Sequence, residues 1–262
     1  YKYNADGTKG GLNQVTIDKF AKMSPKATTS VDLRFNVAQS TDHSSDAANP
    51  YFSLLGQYNS ANTPPLSSSA YGYSQDITLY GSDGTAHSAT IYFDGAPSGS
   101  SGTTAEYLIA SNADSNGGTA QALMSGTMSF NASGQITGMS AYTPATAGST
   151  SLADWNAATL TKDGVPQMTV NGSPVTVNLG ITAKSGWQNT PGNAASVGTD
   201  PTALASMGNA YTRAADATTN YTTQSAVTRT KTQDGYPEGS LNNISIGADG
   251  TVVGKYSNNQ SM

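Results

Sequence analysis

The chain contains no cysteine, so no disulfide staples it and no thiolate is available as a nucleophile or metal ligand. Charge is also scarce. Only 11% of the 262 residues are Asp, Glu, Lys or Arg, with a net charge of −5. The twelve Lys and Arg are scattered rather than gathered into a stripe that could neutralise phosphates, which argues against a nucleic-acid partner. No run of about 18 apolar residues occurs, so no helix of the chain spans or inserts into a membrane. Tyr1-Lys2-Tyr3 does not open a signal peptide. The space left by these absences is filled by Ser, Thr, Asn, Gln, Ala and 28 glycines. That composition suits an all-β protein with many turns better than a helical enzyme.

Alternation of apolar and polar residues places the strands. Leu12 to Phe20, with Val15 and Ile17 two apart, reads as a first strand, and Val31, Leu33, Phe35 and Val37 read as a second with one wet and one dry face. Thr41 to Ser74 is a long polar connection carrying an apolar island, Tyr51 to Leu55, expected to pack down as one turn of helix or an irregular plug. Hairpins are expected where alternating runs flank turn residues. These are 77–93 around Ser82-Asp83-Gly84, 126–138 around Ser133-Gly134, and 241–256 around Gly247 to Gly250, and 165–179 returns to β patterning around Asn171-Gly172. Ala105 to Ala110 is a further strand suited to pairing with Ile91 to Phe93, and Leu152 and Trp155 are the large anchors of an otherwise small-residue stretch. Asp200-Pro201 offers a helix start, so 188–223 reads as a loop or as holding a short helix over 203–215.

Chemistry-bearing residues are few. His43 falls in a polar loop and His87 beside a hairpin turn, and with Glu106 and Glu238 as the sole glutamates the supply of metal ligands is thin. Six aspartates precede glycine (Asp6, Asp83, Asp94, Asp163, Asp234, Asp249) and read as turn formers rather than acids. Asp114-Ser115-Asn116-Gly117 resembles the start of a calcium loop but lacks its later acidic positions. No G-x-S-x-G elbow and no phosphate-cradling glycine motif is present. The sequence therefore assigns no catalytic, cofactor or metal residue. The tyrosines at 3, 51, 58, 71, 73 and 211 are placed in loops, where subunit contact is one reading of them.

The segment 234–260 carries a resemblance. Asp234, Gly235, Tyr236, Gly239 and Leu241, followed by Asp249 to Val252, Gly254 and Tyr256 to Asn258, match the D-G-Y-x-x-G-x-L block and D-G-T-V-x-G-x-Y-S-N hairpin of bacterial flagellar hook proteins. Tyr80, Ser82, Gly84, His87 and Ile91 to Phe93 fit a second hairpin of that family, with Gly81 where the family has Asp, and 126–138 resembles a third block. The resemblance implies two β-rich domains: a discontinuous middle domain from 1–39 plus 224–262, with an outer domain, 40–223, inserted into it. It implies a structural subunit, not an enzyme, exported without a cleaved signal into the extracellular hook. There it would polymerise with copies of itself into a curved tube that acts as a universal joint, meeting hook-cap, distal-rod and hook–filament junction proteins. The family's terminal helical segments are not in this sequence, so the chain reads as a trimmed fragment, monomeric by itself. A distal-rod or hook-cap protein and a carbohydrate-binding β-sandwich or adhesin remain alternatives.

Overall fold

A computed structural model of the chain describes residues 5–8, 20–208 and 211–262. The strand expected over 12–20 falls almost entirely outside the described residues. The described structure is nearly all β, and it divides into two compact units, 26–236 and 1–25 with 237–262.

Four reversals share one design that the sequence dictates. In each, two backbone hydrogen bonds close a turn whose fourth residue is a glycine in the left-handed region. At Gly81 to Thr85, the Gly81 N–H donates to Thr85 O at 2.9 Å and the Gly84 N–H to Gly81 O at 3.0 Å. Asn131 to Gln135, Thr161 to Val165 and Gly247 to Thr251 repeat the pattern, with φ of 69° at Gly134, 77° at Gly164 and 85° at Gly250. The glycine at position 81, where the resemblance expects Asp, has a steric reason. A Cβ there would stand 2.7 Å from Asp83 Oδ1, and at Gly247 the equivalent approach to Asp249 Oδ1 is 2.6 Å.

In the smaller unit, β1 (Lys22–Met23) adds antiparallel to a hairpin of β15 (Gly239–Ile246) and β16 (Val252–Tyr256), in the order β1-β15-β16. The larger unit begins with β2 (Ser30–Asn36) and a short helix α1 (Ser53–Gln57). A seven-stranded antiparallel sheet follows: β3 (Tyr73–Tyr80), β4 (Ala86–Ala96), β5 (Gly102–Ser111), β6 (Gln121–Asn131), β7 (Ile136–Met139), β8 (Tyr142–Pro144) and β9 (Trp155–Ala157). A second sheet, ordered β10-β11-β2-β14, joins β10 (Gln167–Val170), β11 (Ser173–Asn178), β2 and β14 (Val227–Gln233). Its β11–β2 pair is parallel. Between them in sequence, β12 (Ile181–Ala183) pairs with β13 (Tyr211–Arg213).

Alternation sorts the side chains of β4 and β5 onto two faces. Ala89, Ile91, Phe93, Ala105, Tyr107 and Ile109 join Val31, Leu33, Phe35, Val175 and Val177 in one core between the sheets. Tyr92, Leu108 and Ala110 point the other way and meet Tyr51, Phe52, Leu54, Leu55, Tyr58, Leu66, Tyr142 and Trp155 in a second core. The 41–72 connection is thus a cover over the second face, and its apolar island contributes one short helix, α1.

Three expectations are corrected. The polar face of β2 is wet only at Asp32. Arg34 and Asn36 are buried because the chain around 178 and 218–225 closes over them, with Arg34 Nη1 donating to Asn178 O and Asn36 Nδ2 to Tyr221 O and Ser225 O. Among the described residues of 203–215, no α-helix forms. Asp200 caps a single 3-10 turn, Pro201–Ala203, by accepting from the Thr202 N–H, and the chain then runs into the β13 strand, where pairing with β12 outweighs propensity. Finally β2 and β14, expected to lie in the smaller domain, belong to the larger unit, because both are hydrogen-bonded into its second sheet.

Phe35 tests the two-sheet core. It is fully buried and edge-on to Phe93 at 5.0 Å. Phe35→Ala is expected to cost about 3–5 kcal/mol in urea unfolding, with the urea dependence unchanged.

Candidate functional site

The aspartates hold most of the chain's chemical capacity, and the structure shows where it goes. Asp6, Asp83 and Asp249 each accept from the N–H and hydroxyl of a threonine two residues on, at distances between 2.6 and 3.0 Å. These hydrogen bonds favour the charged carboxylate and hold all three below the usual carboxylate range. Asp163 also sits at a turn, before the positive-φ Gly164.

Two Asp-Gly pairs are not turns. Gly235 does not take a positive φ, and Asp234 is a clip. Its Oδ1 accepts from the N–H groups of Thr29 (2.8 Å) and Ser30 (2.9 Å), and its Oδ2 from Thr29 Oγ1 (2.7 Å) and Lys26 Nζ (2.8 Å). Lys26 and Tyr236 exchange both backbone hydrogen bonds at 2.9 Å. The blocks Pro25-Lys26-Ala27-Thr28-Thr29 and Asp234-Gly235-Tyr236, some 205 residues apart, are therefore complementary halves of one contact. Partial burial raises the Asp234 carboxyl, but its hydrogen bonds from Lys26, Thr29 and Ser30 prevail and hold it far below the usual range.

Asp94 lies mid-strand in β4 and is fully buried, directly across from Glu106 of β5, also fully buried. The N–H groups of His43 and Ser44 donate to Asp94 Oδ2 at 2.7 and 2.9 Å, and His43 Nδ1 lies 2.6 Å from Oδ1. Ser44 Oγ stands 3.1 Å from both Asp94 Oδ2 and Glu106 Oε1. A serine, a histidine and an acid do converge here, which the sequence reading missed. The hydroxyl faces the carboxyls rather than the imidazole, however, so the set does not form the base-activated hydroxyl of a nucleophilic relay. The signal available in the sequence was Asp94 itself, inside an alternating strand run with Ile91 and Phe93.

His87 behaves as a packing residue. Its Nδ1 is 3.0 Å from Asp114 Oδ2, and Asp114 also accepts from the Asn116 and Gly118 N–H groups, so the loop resembling a calcium site is closed by its own backbone. His87 borders a cavity of about 280 Å³ with Thr28, Leu79, Tyr80, Asp83 and Val175. Among the described residues, no group of three His, Cys, Asp or Glu is placed to hold a metal ion. No helix of the described residues is long and apolar enough to cross a membrane. Tyr51 and Tyr58 are not surface contacts. They belong to the second core, where burial pushes their phenols up to about 12. Tyr73 lies in β3, stacked on Phe93, and Tyr211 lies in β13, while Tyr3 is outside the described residues.

The fold and its polar groups define a class: a β-rich structural module whose carboxylates, amides and hydroxyls bind its own backbone. The particular family follows from comparison. The flagellar basal body protein FlaE D2 domain family matches residues 53–236, and the chain belongs to it. The resemblance to hook proteins read from the sequence motifs is thereby borne out. Among solved structures, a Helicobacter pylori flagellar hook protein, FlgE2, is similar at 12% identity with a TM-score of 0.42. The likeness covers 72% of this chain and 30% of that one. No curated protein matches the chain.

The Asp234 clip has a pH signature. A carboxyl held low when folded contributes stability above its unfolded pKa, about 3.9, and that contribution is lost as pH falls through the folded value. Asp234→Ala is expected to cost about 1–3 kcal/mol at pH 7. Urea titrations at pH 7 and near pH 2 should show the gap between variant and wild type narrowing in acid.

Proposed function

We propose that the chain is a segment of a flagellar hook subunit that polymerises into the curved extracellular tube coupling rod to filament, and that it contributes stiffness rather than chemistry. The family match over 53–236 carries this reading. Residues 26–236 then correspond to the outer domain and the smaller unit to part of the middle domain. Two cores on either side of β4 and β5 suit a module that keeps its shape under torque. A surface rich in Ser, Thr and Asn and poor in charge suits subunits that shift between contact arrangements at small cost. The partners are other copies of the subunit, with hook-cap, distal-rod and hook–filament junction proteins at the tube's ends. A distal-rod protein is the second reading, since rod proteins share the hairpin of 249–256.

Excising residues 26–236 from the full-length subunit is expected to change hook curvature in electron micrographs and to slow swimming. Unaltered curvature together with wild-type swimming would refute the proposal. The chain by itself is expected to be monomeric, with a scattering mass independent of concentration.

A further inference from the structure

Asp94 and Glu106 pose a physical problem that turn chemistry does not explain. They are cross-strand partners on the same face, both with no solvent exposure. Two charges in that position repel, and burial strips both of water. No lysine or arginine forms an ion pair with either among the described residues. The groups facing them are few. From the 41–57 connection come His43, Ser44 and the neighbouring Asp42, and from α1 the Leu54 N–H, 3.2 and 3.3 Å from the two Glu106 oxygens. From β6 comes Thr127, opposite Glu106, with its hydroxyl engaged by Ser140 Oγ at 2.9 Å.

Hydrogen-bond arithmetic then leaves a proton to be placed. Asp94 Oδ2 already accepts from the His43 and Ser44 N–H groups, which occupy its two lone pairs, and His43 Nδ1 faces Oδ1. Ser44 has one hydroxyl proton for two carboxyl oxygens at the same distance, so with both carboxyls ionised one of its two contacts would hold no proton, and one further proton on the pair fills it. The connection is pressed against the sheet at this point. The Gly95 N–H donates to Thr41 O at 3.0 Å, and a Cβ on Gly95 would fall 2.3 Å from that oxygen.

We propose that Asp94 and Glu106 share one proton through Ser44, and that this proton latches the 41–57 connection, with α1, onto β4 and β5 in a pH-sensitive way. Burial foremost, with Asp94 and Asp42 adding to it, holds the Glu106 carboxyl well above its usual range despite the Leu54 and Ser44 hydrogen bonds. The sign follows. Below about pH 4.3 Glu106 is protonated whether the latch is closed or open, so the latch is tightest there. As pH rises, the opened form ionises first, and opening becomes easier by roughly tenfold per pH unit until the closed carboxyl ionises as well.

Hydrogen–deuterium exchange of the chain between pH 5 and 8, corrected for intrinsic rates, reads this directly. Protection of 43–57 should fall with rising pH inside the window, by up to roughly tenfold per pH unit until the closed carboxyl ionises, with the β5 and β6 interior amides changing less. In Glu106→Gln, which keeps the hydrogen-bonding shape without the titration, that dependence should vanish, with protection at pH 8 matching wild type at pH 5. A flat wild-type profile, or an equal slope in the variant, overturns the proposal. Should Glu106→Gln fail to fold, the side-chain carboxyl carbon resonance of Glu106 in the wild-type chain decides. A carboxyl still protonated at pH 6 supports the latch, and titration in the ordinary glutamate range overturns it.

Discussion

Burial of β4 and β5 on both faces is the constraint from which the rest of the larger unit follows. A strand with one dry face needs one partner layer, whereas a strand with two dry faces needs two. The second sheet supplies the first cover through β2 and β11. No sheet of the described residues covers the other face, so the chain uses the 41–72 connection, and this explains why a mostly polar stretch carries Tyr51, Phe52, Leu54, Leu55, Tyr58 and Leu66. The helix α1 exists for the same reason. Five residues are too few to be stable as an isolated helix, so packing of Leu54 and Leu55 must hold it.

The same constraint accounts for the hydrogen bonding. A chain with so little charge cannot rely on ion pairs, and its exposed pair Lys22–Glu238, with both side chains at least half exposed, contributes little. Side chains bind backbone instead. Asn36 bridges β2 to 221 and 225, and Asn220 receives the Gln39 N–H on its Oδ1 while its Nδ2 donates to Gln39 O and Thr103 Oγ1. Each such bond is worth about 1 kcal/mol. Their placement where distant segments meet makes them determinants of register as well as of stability.

The hairpins are legible in the sequence because each is local: an alternating run, a turn, a second run. The three expected over 77–93, 126–138 and 241–256 carry a glycine at the fourth turn position, and the β patterning around Asn171-Gly172 closes through that pair, both in the left-handed region. What was illegible is tertiary. The polar face of β2 is dry at Arg34 and Asn36, against expectation, because nothing near them in sequence announces the segment that covers them. The helix over 203–215 was wrong because a pairing with β12, some thirty residues upstream, decides the matter. The tyrosines at 51 and 58 sit in irregular chain, where neither period distinguishes core from surface. Family membership was read chiefly from 234–260, yet the family match ends at 236. The residues shared by both are Asp234, Gly235 and Tyr236, the half of the contact that closes on Lys26 to Ser30.

Those aspartates also show how far local pattern can be carried. Asp-Gly-Thr at 6–8, 83–85 and 249–251, and Asp-Pro-Thr at 200–202, place the carboxylate on the threonine two residues on and make a turn. Asp76-Ile77-Thr78 has the same ends but a β-branched centre that prefers extended backbone. It lies in β3, and Asp76 accepts from Thr90 Oγ1 on the neighbouring strand instead. Asp94-Gly95-Ala96 and Asp234-Gly235-Tyr236 have the flexible centre without the threonine. With no local donor to satisfy it, each carboxylate is left for a distant partner, His43 and Ser44 in one case and Lys26 to Ser30 in the other. A turn-forming centre with a following threonine thus marks an aspartate that is locally satisfied. A missing threonine does not by itself undo the turn, since Asp163-Gly164-Val165 keeps one, but at Asp94 and Asp234 the carboxylate is tied into tertiary structure, and those two positions organise both the covered face of the sheet and the meeting of the unit's two ends.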